Sequence, residues 1–187
     1  MMENSAKRIP LKSFESYKIN EFNKDAFNKA KAFLNNNRGL FISGTVGSGK
    51  THLATAAYNV IKEKAKARFI SVPELLMDIR ETFGSHGSER DIVDKYTHDT
   101  EYLFLDDFGA ENPSDFSIEV LYLILSRWEK KLENPRYDFK SKLFITSNFD
   151  LDKLADVMSD RLASRITGIC VGANINEKKD WRNQEEK

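Results

Sequence analysis

Two short runs in this chain have residue types and spacing that could do chemistry. The first is Gly44-Thr45-Val46-Gly47-Ser48-Gly49-Lys50-Thr51, a full match to G-x-x-x-x-G-K-[S/T] that directly follows the apolar run Gly39 to Ser43. A glycine-rich turn between a strand and a helix points its backbone N–H groups inward, as a cradle for the β- and γ-phosphates of a nucleotide. Lys50 brings a positive charge to that cradle, and the Thr51 hydroxyl is a candidate Mg²⁺ ligand. His52 extends the run into the first helical turn, where packing or polar satisfaction is a better role for it than catalysis. The second run is Tyr102-Leu103-Phe104-Leu105-Asp106-Asp107. Four largely apolar residues make a buried strand, and two carboxylates emerge at its C-terminal edge, where open α/β sheets bind ligands. Asp106 is expected to hold Mg²⁺, through water, and Asp107 to orient or activate an attacking water.

Two further groups bear on the same chemistry. Thr146-Ser147-Asn148 ends another apolar run and places a neutral amide at the same sheet edge. Asn148 could hydrogen-bond a γ-phosphate or the lytic water, or it could simply favour the turn there. In Asp160-Arg161-Leu162-Ala163-Ser164-Arg165, the two arginines are four apart and share one helical face. Arginine stabilises charge on a transferring phosphoryl group and can be supplied by a neighbouring molecule. Taken alone, Arg161 and Arg165 fit that role and a solvated helix face equally well.

Periodicity supplies the elements that must position these groups. Lys24 to Asn35 is expected to be helical, with Ala26, Phe27, Ala30, Phe33 and Leu34 at helical spacing before the Asn35-Asn36-Asn37 breaker. The phosphate-loop strand follows, then a helix over Lys50 to Lys66 and a second strand over Ala67 to Val72. Pro73 opens a helix that runs to Phe83. A loop over Gly84 to Ser88 and a short helix over Glu89 to Tyr96 lead to the acidic strand, Glu101 to Leu105. The helix Ser114 to Leu132 carries a broad apolar stripe that includes Val120, Leu121, Ile124, Leu125 and Trp128, with Ser114 or Asp115 as its cap. Lys142 to Thr146 reads as the fourth strand, Leu151 to Ser164 as one helix and Ile169 to Ala173 as the fifth strand. Strands alternating with helices define an α/β layered fold with a mainly parallel sheet. The expected organisation is a lead-in over 1–23, a core over 24–176 and a charged tail over 177–187.

Composition sets the limits. The chain has 187 residues and 40% hydrophobic content, enough for one domain with a real core. Its 29 Lys plus Arg balance 29 Asp plus Glu, so attraction to nucleic acid or a membrane surface has to come from a local patch. The best such patch is Arg80 to Lys95, where Arg80, Arg90 and Lys95 lie near Phe83 and could meet single-stranded DNA; Glu81, Glu89, Asp91 and Asp94 make it equally a solvated surface. Cys170 is the only cysteine, which rules out a disulfide framework and suits a reducing compartment. No apolar run approaches the roughly 18 residues of a membrane span, so a cytoplasmic protein without a membrane partner is expected.

The order of these motifs resembles the AAA+ ATPases, and within them the DnaC/DnaI helicase-loader and IstB transposition-helper branch. Gly49-Lys50-Thr51-His52-Leu53-Ala54 resembles that branch's continuation of the phosphate loop, and Leu105-Asp106-Asp107-Phe108-Gly109-Ala110-Glu111 resembles its Walker B run. Phe14-Glu15-Ser16-Tyr17 is similar to its upstream aromatic segment and Trp181-Arg182 to its C-terminal end. The resemblance implies a P-loop NTPase fold of AAA+ type with sheet order 5-1-4-3-2 and no C-terminal lid domain. It also implies ATP and Mg²⁺ as cofactors, and a slow, oligomer-dependent ATPase acting in DNA replication. Arg165 would be an arginine finger reaching the ATP of the next subunit, with Arg161 nearby, and Ile9 to Ile19 would lie near the adenine. The partners implied are ATP and ADP, further copies of the chain, a replicative helicase or a transposase, and single-stranded DNA. The chain departs from full loaders in starting its loop at Gly44, where they carry an additional N-terminal helicase-gripping domain. The class alternative is an ATP-gated recruitment module with little turnover, such as an IstB-like helper. A small-molecule kinase fits less well, because the Asn148 and Arg161/Arg165 pattern has no role in it.

Overall fold

Five apolar runs assemble into one parallel sheet. The computed structural model of the chain describes residues 12–82, 89–111, 113–134 and 141–176. The strands are β1 (Gly39–Gly44), β2 (Ala67–Ser71), β3 (Tyr102–Phe108), β4 (Lys142–Ser147) and β5 (Cys170–Ile175), in the order β2-β3-β4-β1-β5 with every pairing parallel. This is the 5-1-4-3-2 order implied by the resemblance, read from the other edge. It puts the phosphate-loop strand β1 beside β4, and β4 beside the acidic strand β3, so the three chemical runs end at one sheet edge.

The central strands are buried on both faces, which is why they read as continuous apolar runs. On one face, Leu40, Ile42, Phe104 and Phe144 pack against α1 (Lys24–Ala32) and α2 (Lys50–Ile61), with the Phe33 ring edge-on to Phe144 at 5.2 Å. On the other, Phe41, Leu103, Leu105, Leu143 and Ile145 meet a layer formed by α3 (Val72–Glu81), α4 (Glu89–Thr97), α5 (Asp115–Glu133), α6 (Leu151–Val157) and α7 (Asp160–Ile169). Trp128 of α5 is fully buried in that layer and donates its indole N–H to the Tyr96 carbonyl at 3.1 Å. Ser114 is the α5 cap, in a reciprocal pair with Ser117.

The run Leu151 to Ser164 is two helices and not one. Met158 closes α6, and Ser159, in an extended conformation, caps α7 by accepting from the Arg161 N–H. The apolar positions Leu154, Met158 and Leu162 continue across the junction at helical spacing, and no glycine or proline marks it. A serine that caps a new helix was therefore hidden inside a helical pattern. The break lets α7 run on to Ile169 and bury Leu162, Ala163, Ile166 and Ile169. The expectations for residues 1–11 (including the start of the adenine segment at Ile9), for Phe83 as the end of the Pro73 helix, for the loop Gly84 to Ser88, and for the tail 177–187 with Trp181-Arg182 lie outside the described residues. Among the described residues no helix is long and apolar enough to cross a membrane.

Candidate nucleotide site

The glycine-rich loop leaves β1 at Gly44 and enters α2 through Gly49, whose φ of 95° is left-handed. That φ favours glycine, and space requires it: a Cβ there would stand 2.9 Å from the Tyr17 ring. Tyr17 comes from the lead-in, which packs onto the loop helix. His52 Nε2 lies 2.9 Å from the Ser13 carbonyl and 3.1 Å from Ser16 Oγ, and its ring is edge-on to Tyr17. His52 thus has the packing and polar role expected of it, tying the lead-in to the first turn of α2.

Lys50 is 4% exposed, and its ammonium donates to the Gly44 and Thr45 carbonyls at 2.8 and 2.7 Å. The side chain folds back across the loop, so its charge sits inside the turn. Val46 is exposed at the tip of the loop, while the Ser48 hydroxyl is buried with no hydrogen-bond partner among the described residues. The first-turn N–H groups of α2 are donors that a helix leaves without internal acceptors, and Gly49 has no side chain to cap them. Donors, a buried cation and a helix N-terminus together suit a polyphosphate.

The acidic strand meets this loop through hydroxyls. Thr51 Oγ1 donates to Asp106 Oδ1 at 3.1 Å, and Thr146 Oγ1 of β4 donates to the same oxygen. Asp106 is 5% exposed, and burial pushes its carboxyl above the ordinary 3.8. The Thr146 hydrogen bond opposes that rise, the neighbouring Asp107 charge adds to it, and Thr51 and Lys50 oppose it. A carboxylate and a hydroxyl are the hard oxygen donors that Mg²⁺ prefers, so Thr51 and Asp106 fit the ion.

Asp107 is half-buried and, among the described residues, the only non-glycine with positive φ, at 57°. The β3–β4 register shifts between Leu105 and Phe108, which turns Asp106 and Asp107 out of plain strand alternation. The half-buried Asn148 follows β4 directly, at the same edge. Thr51 and Asp106 are thus in contact, and Asp107 and Asn148 lie at the same edge of the sheet.

The arginines do not join that group. Arg161 is exposed on the first turn of α7. Arg165 donates Nη1 to Glu129 Oε2 and Nη2 to the Tyr122 hydroxyl at 2.6 Å, with its guanidinium 4.5 Å from the Tyr122 ring centre. The hydrogen bond from Arg165 holds the Tyr122 hydroxyl below its ordinary 10.0. Of the patch expected to meet DNA, the Arg80 guanidinium lies 5.0 Å from the Phe116 ring centre, Arg90 pairs with Asp94 at 3.9 Å, and the Lys95 ammonium is 5.3 Å from the Tyr96 ring centre.

Residue reading gave no role to Thr146, Glu129 or Tyr122, and placed Tyr17 only within the aromatic segment expected near the adenine. Thr146 did leave a signal, as the hydroxyl that directly follows the apolar run Leu143 to Ile145. The other three are single residues whose partners lie far away in the sequence, so only the fold could find them.

The parallel 5-1-4-3-2 sheet, the glycine-rich loop after β1 and the acidic end of β3 define a P-loop protein of AAA+ type. The chain belongs to the family of IstB-like ATP binding proteins, whose pattern matches residues 4–180. The replicative helicase loader DnaC of Escherichia coli (strain K12) is 22% identical over 160 residues, which are 82% of this chain and 62% of DnaC. The chain thus spans less than two thirds of that relative. A crystal structure of the DnaC helicase loader shares the fold with a TM-score of 0.76 at 24% identity, over 91% of this chain and 100% of that one. A structure of the replication initiator DnaA bound to AMPPCP and single-stranded DNA has a TM-score of 0.75 at 25% identity, over 90% of this chain and 51% of DnaA.

Proposed function

We propose that this chain binds and hydrolyses ATP as a DnaC-like AAA+ protein acting in DNA replication in the cytoplasm. The observation that carries the reading is the convergence of the Thr51 and Thr146 hydroxyls on Asp106, beside the buried Lys50. Gly44 to Lys50 cradle the phosphates, with Lys50 exchanging the loop carbonyls for phosphate oxygens. Thr51 and Asp106 would hold Mg²⁺, which would supply positive charge to offset that of the phosphates. Asp107 orients the attacking water from its left-handed turn, and Asn148 hydrogen-bonds the water or the γ-phosphate.

Arg165 completes the site from a neighbouring copy, with Arg161 close by. Within its own chain Arg165 is engaged by Glu129 and Tyr122, so a lone copy turns over slowly and assembly raises the rate. Single-stranded DNA, met by Arg80, Arg90 and Lys95 aligned across several copies, and a replicative helicase are the proposed partners. The same engagement of Arg165 favours a second reading, an IstB-like module that recruits a transposase when ATP is bound and hardly hydrolyses it. Mg²⁺-ATP turnover, measured over a range of protein concentration with and without single-stranded DNA, separates the two. Turnover that rises with concentration and DNA supports the loader reading, and flat, negligible turnover with intact ATP binding supports the recruitment module.

A further inference from the structure

Thr146 is fully buried near the end of β4, opposite Ile42 of β1. A buried hydroxyl is costly unless it is hydrogen-bonded. This one is bonded twice, and both bonds go to the acidic pair. Its Oγ1 donates to Asp106 Oδ1 and accepts the backbone N–H of Asp107 at 3.1 Å. These contacts fall at the β3–β4 register shift, where Asp107 adopts its φ of 57°. A left-handed conformation in a residue with a Cβ is unfavourable and persists where its surroundings hold it.

We propose that Thr146 is the positioning residue of the hydrolytic site, its single hydroxyl setting both the direction of the Asp106 carboxylate and the backbone turn that aims Asp107. The inference rests on the reading of Asp106 and Asp107 as the metal-holding and water-orienting acids. Removing the hydroxyl takes one of two hydroxyl donors from Asp106 Oδ1 and the acceptor from the Asp107 amide. The phosphate loop keeps its own anchors, the Lys50 bonds to Gly44 and Thr45. Thr146 should therefore govern metal use and turnover and leave the grip on phosphate alone.

Thr146→Val keeps the β-branched shape and removes the hydroxyl, whereas Thr146→Ser keeps the hydroxyl. Both are compared with the unaltered chain by affinity for a fluorescent ATP analogue without Mg²⁺, by the Mg²⁺ concentration giving half of the ATP-dependent rise in Tm, and by turnover. The expected result is equal Mg²⁺-free affinity in all three proteins. In Thr146→Val the Mg²⁺ midpoint should rise about tenfold, the scale of one hydrogen bond to a charged group, and turnover should fall at least as far. Serine should restore both. A merely structural role would lower Tm at every Mg²⁺ concentration and leave the midpoint in place.

A wild-type midpoint and turnover in Thr146→Val would overturn the proposal, as would a Thr146→Ser variant as impaired as Thr146→Val. If Thr146→Val does not fold, Thr146→Ala against Thr146→Ser makes the same comparison. Lys50→Ala distinguishes the two levels of the argument. If it keeps the full ATP-dependent rise in Tm, the nucleotide site is misassigned and the Thr146 role falls with it; if it loses the rise while Thr146→Val is unchanged, only the Thr146 role falls.

Discussion

The carboxylate of Asp106 and the guanidinium of Arg165 are each held by two polar groups from other elements, in very different surroundings. Asp106 is 5% exposed and bonded by hydroxyls from α2 and β4, which converge at one sheet edge. Arg165 is 24% exposed at its side chain and bonded to Glu129 and Tyr122, both on α5. Breaking the first arrangement strands a buried charge, which is costly. Breaking the second should cost less, because side chains that are 24% and 32% exposed regain part of their solvation. The carboxylate side of the candidate site is thus built within one chain at a buried sheet edge, whereas the arginine expected to act on a neighbour is held at a partly exposed helix contact.

The sharpest way to break this contrast is at the loop. Lys50→Ala should abolish the rise in Tm that saturating Mg²⁺-ATP gives the unaltered chain, a stabilisation of about 2.7 kcal/mol at a hundred times Kd. Asp107→Asn should keep that rise and lose turnover. Thermal shift assays and phosphate release distinguish the two, and a retained shift in Lys50→Ala would remove the loop from the account.

Arg165→Ala comes next. It should bind ATP as the unaltered chain does and lose turnover on the order of a thousandfold, the scale of an arginine finger. Mixed with Asp107→Asn it should recover part of the activity, since some interfaces then pair an intact Arg165 with an intact Asp107. Turnover that ignores protein concentration and Arg165→Ala alike would leave Arg165 as a structural residue of the α5–α7 contact.

A smaller effect tests how cheaply Arg165 is released. Glu129→Gln should change stability by less than about 1 kcal/mol in urea unfolding. At low protein concentration it should raise turnover severalfold, because it weakens the competitor for the guanidinium. Lower turnover with unchanged ATP affinity would mean that Glu129 holds Arg165 in its working position.

Cys170 reports on whether α7 moves in that release. It closes α7 and is buried, and burial pushes its thiol up to about 12. The native thiol should therefore label with iodoacetamide only as fast as the protein opens. A thiol raised in the folded state contributes stability in full below its ordinary 9.0 and loses it as pH rises towards about 12. Unfolding midpoints of the unaltered chain should accordingly fall faster above pH 9 than those of Cys170→Val. Labelling in Glu129→Gln should match the unaltered chain if only the guanidinium swings, and faster labelling would show the helix moving with it.

Much of this was legible in the residues. The loop Gly44 to Thr51, the strand carrying Asp106 and Asp107, and the strand before Asn148 are contiguous runs whose chemistry depends on near neighbours, so their spacing was enough to place them. Strands alternating with helices implied a parallel sheet for the same local reason. The register shift at Asp106 was not legible, because it arises from how β3 meets β4 and not from either strand alone. Nor was the break at Ser159, where the apolar spacing on both sides matches one continuous helix.

By itself the sequence determined which groups could act and which strand each would end: Lys50 and Thr51 after β1, the two carboxylates on β3, the amide after β4. Those facts follow from short-range periodicity and from the few conformations a glycine-rich turn allows. Only the tertiary structure decided that Thr146 bridges Asp106 and Asp107, that Tyr17 presses on Gly49, and that Arg165 is held by Glu129 and Tyr122. Each of these contacts joins residues at least 32 positions apart. No local rule brings such residues together; they meet because burying both faces of one sheet leaves its helices and strand ends a single arrangement.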